Sequence, residues 1–123
     1  MRQERDHEQP EFPCYRGYRD DDGAHVMIHH SAGRVTKLPP RNDLVDHSPT
    51  GFEWGYGGSG PAQLALALLA DALRASGRDN RTTDREAVRL HQRYKWGIVA
   101  GLAKDGWTIT RKSVIERATA LPR

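Results

Sequence analysis

From Ala62 to Ala75 the chain is Ala or Leu at every position except Gln63, Asp71 and Arg74. Ala and Leu are among the strongest helix formers. An ordinary surface helix shows one apolar stripe, whereas a helix that is apolar nearly all round has to be enclosed by the rest of its chain. That requirement constrains everything else in these 123 residues, a length at which roughly two-thirds of the unfolded chain's surface can be buried. Pro61 suits the first turn of such a helix, where a missing N–H costs nothing, with Ser59 or Gly60 as the expected cap. Gly77 fits the left-handed position just past its end.

The residues before this helix read as strands. Cys14–Arg19, His25–His29 and Arg34–Leu38 are separated by the turn signals Asp20-Asp21-Asp22-Gly23 and Ser31-Ala32-Gly33, which predicts a three-stranded antiparallel meander. Pro39-Pro40 ends it. Arg41 to Gly60 has no period, and an unstructured connection of that length is either functional or ordered by its own packing. Phe52, Trp54 and Tyr56 sit at every second position there, enough apolar surface to pin the loop or to make a short fourth strand.

After the central helix, Thr82-Thr83-Asp84-Arg85-Glu86 reads as a capping box, Thr83 bonding forward and Glu86 reaching back. A second helix follows with Ala87, Leu90, Tyr94, Ile98 and Leu102 on one side and Val88, His91 and Val99 beside them. Asp105-Gly106 stops it and Trp107-Thr108-Ile109 bridges. Thr110 then caps a short last helix carrying Val114, Ile115, Ala118 and Leu121. The expected fold is α+β: a small antiparallel sheet of three or four strands packed on a buried central helix with two further helices. It occupies residues 14–123 as one domain, and residues 1–13, polar and unpatterned, form a flexible arm.

No run approaches the ~20 apolar residues of a membrane-spanning helix. The one cysteine, Cys14, has no partner for an internal disulfide and is most simply a small buried apolar residue. The start of the chain lacks the apolar stretch of a signal peptide, so a cytoplasmic protein is expected. Charge is unevenly spread: seven Lys/Arg against ten Asp/Glu in residues 1–61, and twelve against six in residues 62–123. Such asymmetry points to an acidic partner for the second half, nucleic acid or an acidic protein face. Of the 19 cations 15 are arginine, which suits bidentate contact with phosphate; the codons of a GC-rich genome would give the same bias. Arg78, Arg81, Arg85, Arg89 and Arg93 recur every three or four residues, with Tyr94, Lys95 and Trp96 next to them. These arginines and Lys95 are the candidate partner-binding surface. A solvated helix face, neutralised by Asp79, Asp84 and Glu86, would show the same pattern.

The segment Phe52-Glu53-Trp54-Gly55-Tyr56-Gly57-Gly58-Ser59-Gly60-Pro61-Ala62-Gln63-Leu64-Ala65 is an aromatic-studded glycine loop entering a helix N-terminus. The unpaired N–H groups and partial positive charge there can hold an anion. On that reading Trp54, Tyr56, Gly57, Gly58, Ser59, Gly60, Gln63 and nearby His47 form a ligand loop. No Gly-Lys-Ser/Thr follows the glycines, and the context of a dinucleotide fingerprint is missing. The structural alternative is that the glycines allow close backbone approach while the aromatics cover the helix. His25, His29, His30 and His47, with Cys14, Asp43 and Asp46, lack the spacing of a zinc motif, so neither metal nor cofactor is expected. His47 between Asp46 and Ser48 is not a catalytic triad, since adjacency in sequence does not align the three side chains; it is expected to anchor the glycine loop by a hydrogen bond. No residue is assigned a catalytic role. The acidic turn Asp20, Asp21 and Asp22 offers a second surface, one that would mimic phosphates toward a protein partner.

His47-Ser48-Pro49 followed by Gly51 and the glycine segment through Ala65 resembles the signature of an uncharacterised family, a domain of unknown function in short proteins of bacteria, archaea and their phages. The resemblance extends from Tyr15 onward, with a Pro-Arg-Asn-Asp segment and a closing Gly-Trp-x-Ile-Thr fitting loosely. It implies a context, that of small cytoplasmic proteins often carried by mobile elements, and no site residue. The expected function is non-enzymatic binding to nucleic acid or a nucleoprotein complex, in its most specific form inhibition of a host defence system such as CRISPR-Cas. The alternatives are a small enzyme holding a phosphate-bearing ligand at Gly55–Gly60, and a structural or assembly protein.

Overall fold

The computed structural model describes residues 11–121. Its elements are strands β1 (Cys14–Asp20), β2 (Gly23–Ser31) and β3 (Arg34–Lys37), helices α1 (Ser59–Arg74) and α2 (Asn80–Gly97), a 3-10 turn (Val99–Gly101), strand β4 (Gly106–Thr110) and helix α3 (Arg111–Ala120). The fold is α+β, as expected. Most of the predicted N-terminal arm lies outside the described residues. Where it enters them, the Pro13 carbonyl accepts the Arg111 N–H at 2.9 Å and ties the start of β1 to α3.

The three predicted strands form a meander, and the sheet is four-stranded in the order β3-β2-β1-β4, antiparallel throughout. The fourth strand is not the Phe52–Tyr56 segment. Gly51 and Gly55 adopt φ of 136° and 87° there, left-handed values that punctuate an extended run. The sheet is instead completed by Gly106–Thr110, read from sequence as a bridge, which pairs with β1 from Cys14↔Thr110 to Tyr18↔Gly106. Trp107 and Ile109 fall on the side of Gly17 and Tyr15, their partners, and Trp107 lies across Gly17, where a Cβ would overlap its indole.

Tyr15, Val26 and Ile28 turn one sheet face into a core with the leucines of α1 and with Ala87, Leu90, Val99 and Val114. Of α1's residues only Ser59, Asp71 and Arg74 reach solvent, so the enclosed central helix is present as its composition demands. Gly58 rather than Ser59 or Gly60 is its N-cap, with no side-chain cap bond. Gly77 has the left-handed φ of 84° expected past its end.

Helix α2 begins at Asn80, two residues before the predicted box. Asp79 is its N-cap, the carboxylate accepting from Thr82 N–H at 3.0 Å, and the Thr83 hydroxyl donates back to the Asn80 carbonyl. A carboxylate at a helix N-terminus gains from the dipole as well as from the hydrogen bond, so Asp79 outcompetes Thr83. Thr110 caps α3 as predicted, accepting from Ser113 N–H at 3.0 Å.

Candidate functional site

Helix α2 packs on the core through Thr83, Ala87, Leu90, His91 and Tyr94. At 3.6 residues per turn, six of its exposed residues, Arg81, Arg85, Arg89, Gln92, Arg93 and Trp96, share an arc of about 120° and extend over roughly 22 Å. Four of the predicted binding arginines therefore lie on one solvent-facing stripe. Arg78 precedes the helix and donates to Glu86 at 3.2 Å, and Arg89 stands 3.8 Å from the same carboxylate.

The stripe keeps its charge because two of its expected neutralising acids are engaged elsewhere. Asp79 is the helix cap. Asp84, whose side chain is 15% exposed, pairs with Arg41 and Arg74, each at 3.0 Å. Burial alone would raise its pKa, but the two guanidiniums outweigh that and hold the carboxyl below the usual carboxylate range. Glu86 stays beside the arginine row. The positive end of the helix dipole adds to the charge near Arg81.

At its other end the stripe meets the glycine loop. Gly55 N–H donates to the Val99 carbonyl at 3.0 Å, fastening the loop to the turn after α2. Trp96 lies against Gly57, and Tyr56 folds onto Gly58; a Cβ at either glycine would overlap the ring. Both rings are largely open to solvent, Trp96 at 65% and Tyr56 at 49%. The mostly buried Lys95 brings its ammonium to 4.5 Å from the Trp96 ring, a cation–π distance.

The other members predicted for the ligand loop do not join this surface. Trp54 is 1% exposed, donates Nε1–H to the Lys104 carbonyl at 3.1 Å and packs edge-on to Trp107. Gln63 is fully buried and binds four backbone groups. Its Nε2 donates to Pro40 and Val45 carbonyls at 2.6 and 3.1 Å, and its Oε1 accepts from His47 and Ser48 N–H at 2.8 and 3.2 Å. Gln63 is thus the post to which the aperiodic 40–48 segment is tied. Gly60 packs on Glu53, whose Cβ lies 2.7 Å from where its own would be. Ser59 opens onto a depression of about 380 Å3 at the α1 N-terminus, lined also by Asp22 and Glu53. An incoming phosphate there would meet two carboxylates, although Arg19 pairs with Glu53 at 2.9 Å.

His47 does not anchor the glycine loop through its ring. That ring meets His91 of α2, Nε2 to Nε2 at 2.9 Å. Because His91 Nδ1–H donates to the Val88 carbonyl at 2.6 Å, its Nε2 is the acceptor and His47 the donor. Burial, with the neighbouring His47 and Lys95, pushes the His91 pKa below its ordinary value. Among the described residues no three His, Cys, Asp or Glu side chains cluster as a metal site would require. In the acidic turn, Asp20 accepts from Asp22 N–H at 2.9 Å and from His25 at 2.7 Å. The His25 bond, then the backbone bond, lower the Asp20 pKa, while Asp21 and Asp22 stay exposed.

Sequence reasoning missed a second network. The buried Tyr15 donates its hydroxyl to Asp71 at 2.6 Å. Arg111 reaches the same carboxylate at 2.9 Å and the phenol oxygen at 3.2 Å. Burial and the Asp71 charge drive the Tyr15 pKa well above that of a free phenol, so it remains a donor and joins β1, α1 and α3. Asp71, the one acid in an Ala/Leu helix, was the visible signal; its partners were not. Arg41, held at φ 57°, was missed likewise.

No helix of the described residues is long and apolar enough to cross a membrane. No curated protein and no solved structure matches the chain. One family model does match, over residues 15–120, from the second residue of β1 to the last of α3, and the chain belongs to that family of unknown function, DUF6166.

Proposed function

We propose that this protein binds nucleic acid along the outer face of α2, by its phosphate backbone. The observation that carries the reading is the exposed row Arg81, Arg85, Arg89 and Arg93, from which Asp79 and Asp84 are withdrawn by the helix cap and by Arg41 and Arg74. Arginines four apart rise about 6 Å per step, a regular ladder of planar donors suited to a regular ladder of phosphates. Contacts of this kind position a ligand without reading its sequence. Inhibition of a host defence nucleoprotein would use the same face, competing for its RNA or DNA. The enzyme reading, a phosphate-bearing ligand at Gly55–Gly60, has less support because Asp22 and Glu53 line the adjoining depression.

The test is binding of labelled duplex and single-stranded oligonucleotides to wild type and to the Arg85→Glu/Arg89→Glu variant. Both positions are solvent-facing, so the fold should survive, as circular dichroism will check. Loss of at least about tenfold in affinity is expected from two reversed phosphate contacts. Equal binding by the variant would remove this reading.

A further inference from the structure

We infer that the α2 face takes single-stranded nucleic acid, with an unpaired base stacked on Trp96 while the phosphates run along the arginine row. The inference rests on the reading just given and names the form of its ligand. Trp96 falls near the middle of the arc occupied by Arg85 and Arg89, about 16 Å along the helix from Arg85. It is the most exposed large apolar side chain among the described residues, at 65%. Gly57 backs its six-membered ring, where any side chain would collide, and the Lys95 ammonium stands 4.5 Å from the ring. The indole is therefore held in place before a ligand arrives, which reduces the ordering cost of binding.

A base inside a duplex has both faces covered by its neighbours, so a ring of this kind can take only an unpaired or terminal base. Single-strand binders combine a cationic track with aromatic rings in this way. Tyr56, on the adjacent Gly58 and 49% exposed, is the second ring, placed for a following base. Gly57 and Gly58 thereby acquire a purpose that an anion pocket does not give them: each is the bare backbone against which a ring packs.

The experiment compares a short oligothymidine with a blunt duplex, read by anisotropy and by tryptophan emission. Trp54 is buried and Trp107 partly so, which makes Trp96 the fluorophore a ligand can reach. Oligothymidine should quench emission, and Trp96→Phe should abolish the quench while largely keeping affinity. Trp96→Ala should weaken single-strand binding by about tenfold and leave duplex binding and the salt dependence unchanged, since no charge is lost. Gly57→Ala, which displaces the ring without removing it, should reproduce that loss. Equal effects of Trp96→Ala on both forms, no effect on either, or a quench that persists in Trp96→Phe would overturn the stacking inference alone. Absence of binding to both forms by the wild type would overturn the underlying reading as well.

Discussion

Replacing Gln63 with leucine keeps the volume of the side chain and removes four hydrogen bonds at once. Pro40 and Val45 carbonyls lose their donor, and His47 and Ser48 N–H groups lose their acceptor. Pro40 is exposed, so its carbonyl regains water. The other three groups belong to half-buried or shielded backbone, and each orphaned polar group costs about 1–3 kcal/mol. The expected loss is about 3–9 kcal/mol, set against a total stability of about 5–15 kcal/mol for a domain of this kind. The urea midpoint should collapse, and Tm should drop by roughly 15 °C. Gln63→Glu offers an internal control of sign. Its carboxylate can still accept from His47 and Ser48, but it would set an oxygen against the Pro40 carbonyl with no proton between them. The folded state would then favour the protonated acid, so the variant should regain stability as pH falls, the reverse of an ordinary salt-bridged carboxylate. A loss below about 1 kcal/mol for Gln63→Leu would refute the reasoning, because it would mean that water replaces all four bonds.

Three other expectations follow from the same contacts. His91 has its pKa lowered from 6.5, so the unfolded chain takes up the proton first and stability should fall as pH drops through about 6.5; urea titrations at neutral and mildly acidic pH will show it, and His91→Gln should flatten that part of the profile. Asp84→Ala strips Arg41 and Arg74 of a shared carboxylate that is 15% exposed and should cost about 2–3 kcal/mol; with its pKa held low, the wild-type contribution should vanish only as pH falls below the usual carboxylate range. Gly60→Ala places a Cβ 2.7 Å from that of Glu53 and 3.1 Å from its backbone nitrogen, for an expected loss of about 1–3 kcal/mol; Gly97→Ala, with open space at the same position, should be neutral or stabilising by about 0.5 kcal/mol in the same thermal melts.

Where a structural feature depended on neighbouring residues, it could be read ahead of the fold. The enclosure of α1 follows from its own composition, the β1–β2–β3 meander from its two turns, and the shared face of Arg85, Arg89 and Arg93 from helical spacing, which the earlier start of α2 at Asn80 extends to Arg81. Features that depended on distant partners could not. Gly106–Thr110 is a five-residue segment between two helices, and it becomes a strand only because β1, some ninety residues earlier, offers it a free edge. Gln63 looked like a loop ligand because nothing in its neighbourhood shows that residues 40–48 fold back over α1 to meet it. The charge on the α2 stripe was ambiguous for the same reason. Asp84 counts as a neutralising neighbour until Arg41, far away in sequence, removes it. In the sequence Trp96 reads as a neighbour of the arginines, and the glycine loop as a separate motif; that Gly57 is the surface under Trp96 is a tertiary fact.

The central claim is that the exposed arginines of α2 bind phosphates, and salt dependence tests it most directly. The association constant for a nucleic acid is measured over a range of salt concentrations for wild type and for Arg85→Glu/Arg89→Glu. Three or four phosphate contacts predict a slope of log K against log salt of about −3 on duplex, and the variant should be shallower by about 2. No binding at low salt, or identical slopes for the two proteins, would contradict the account.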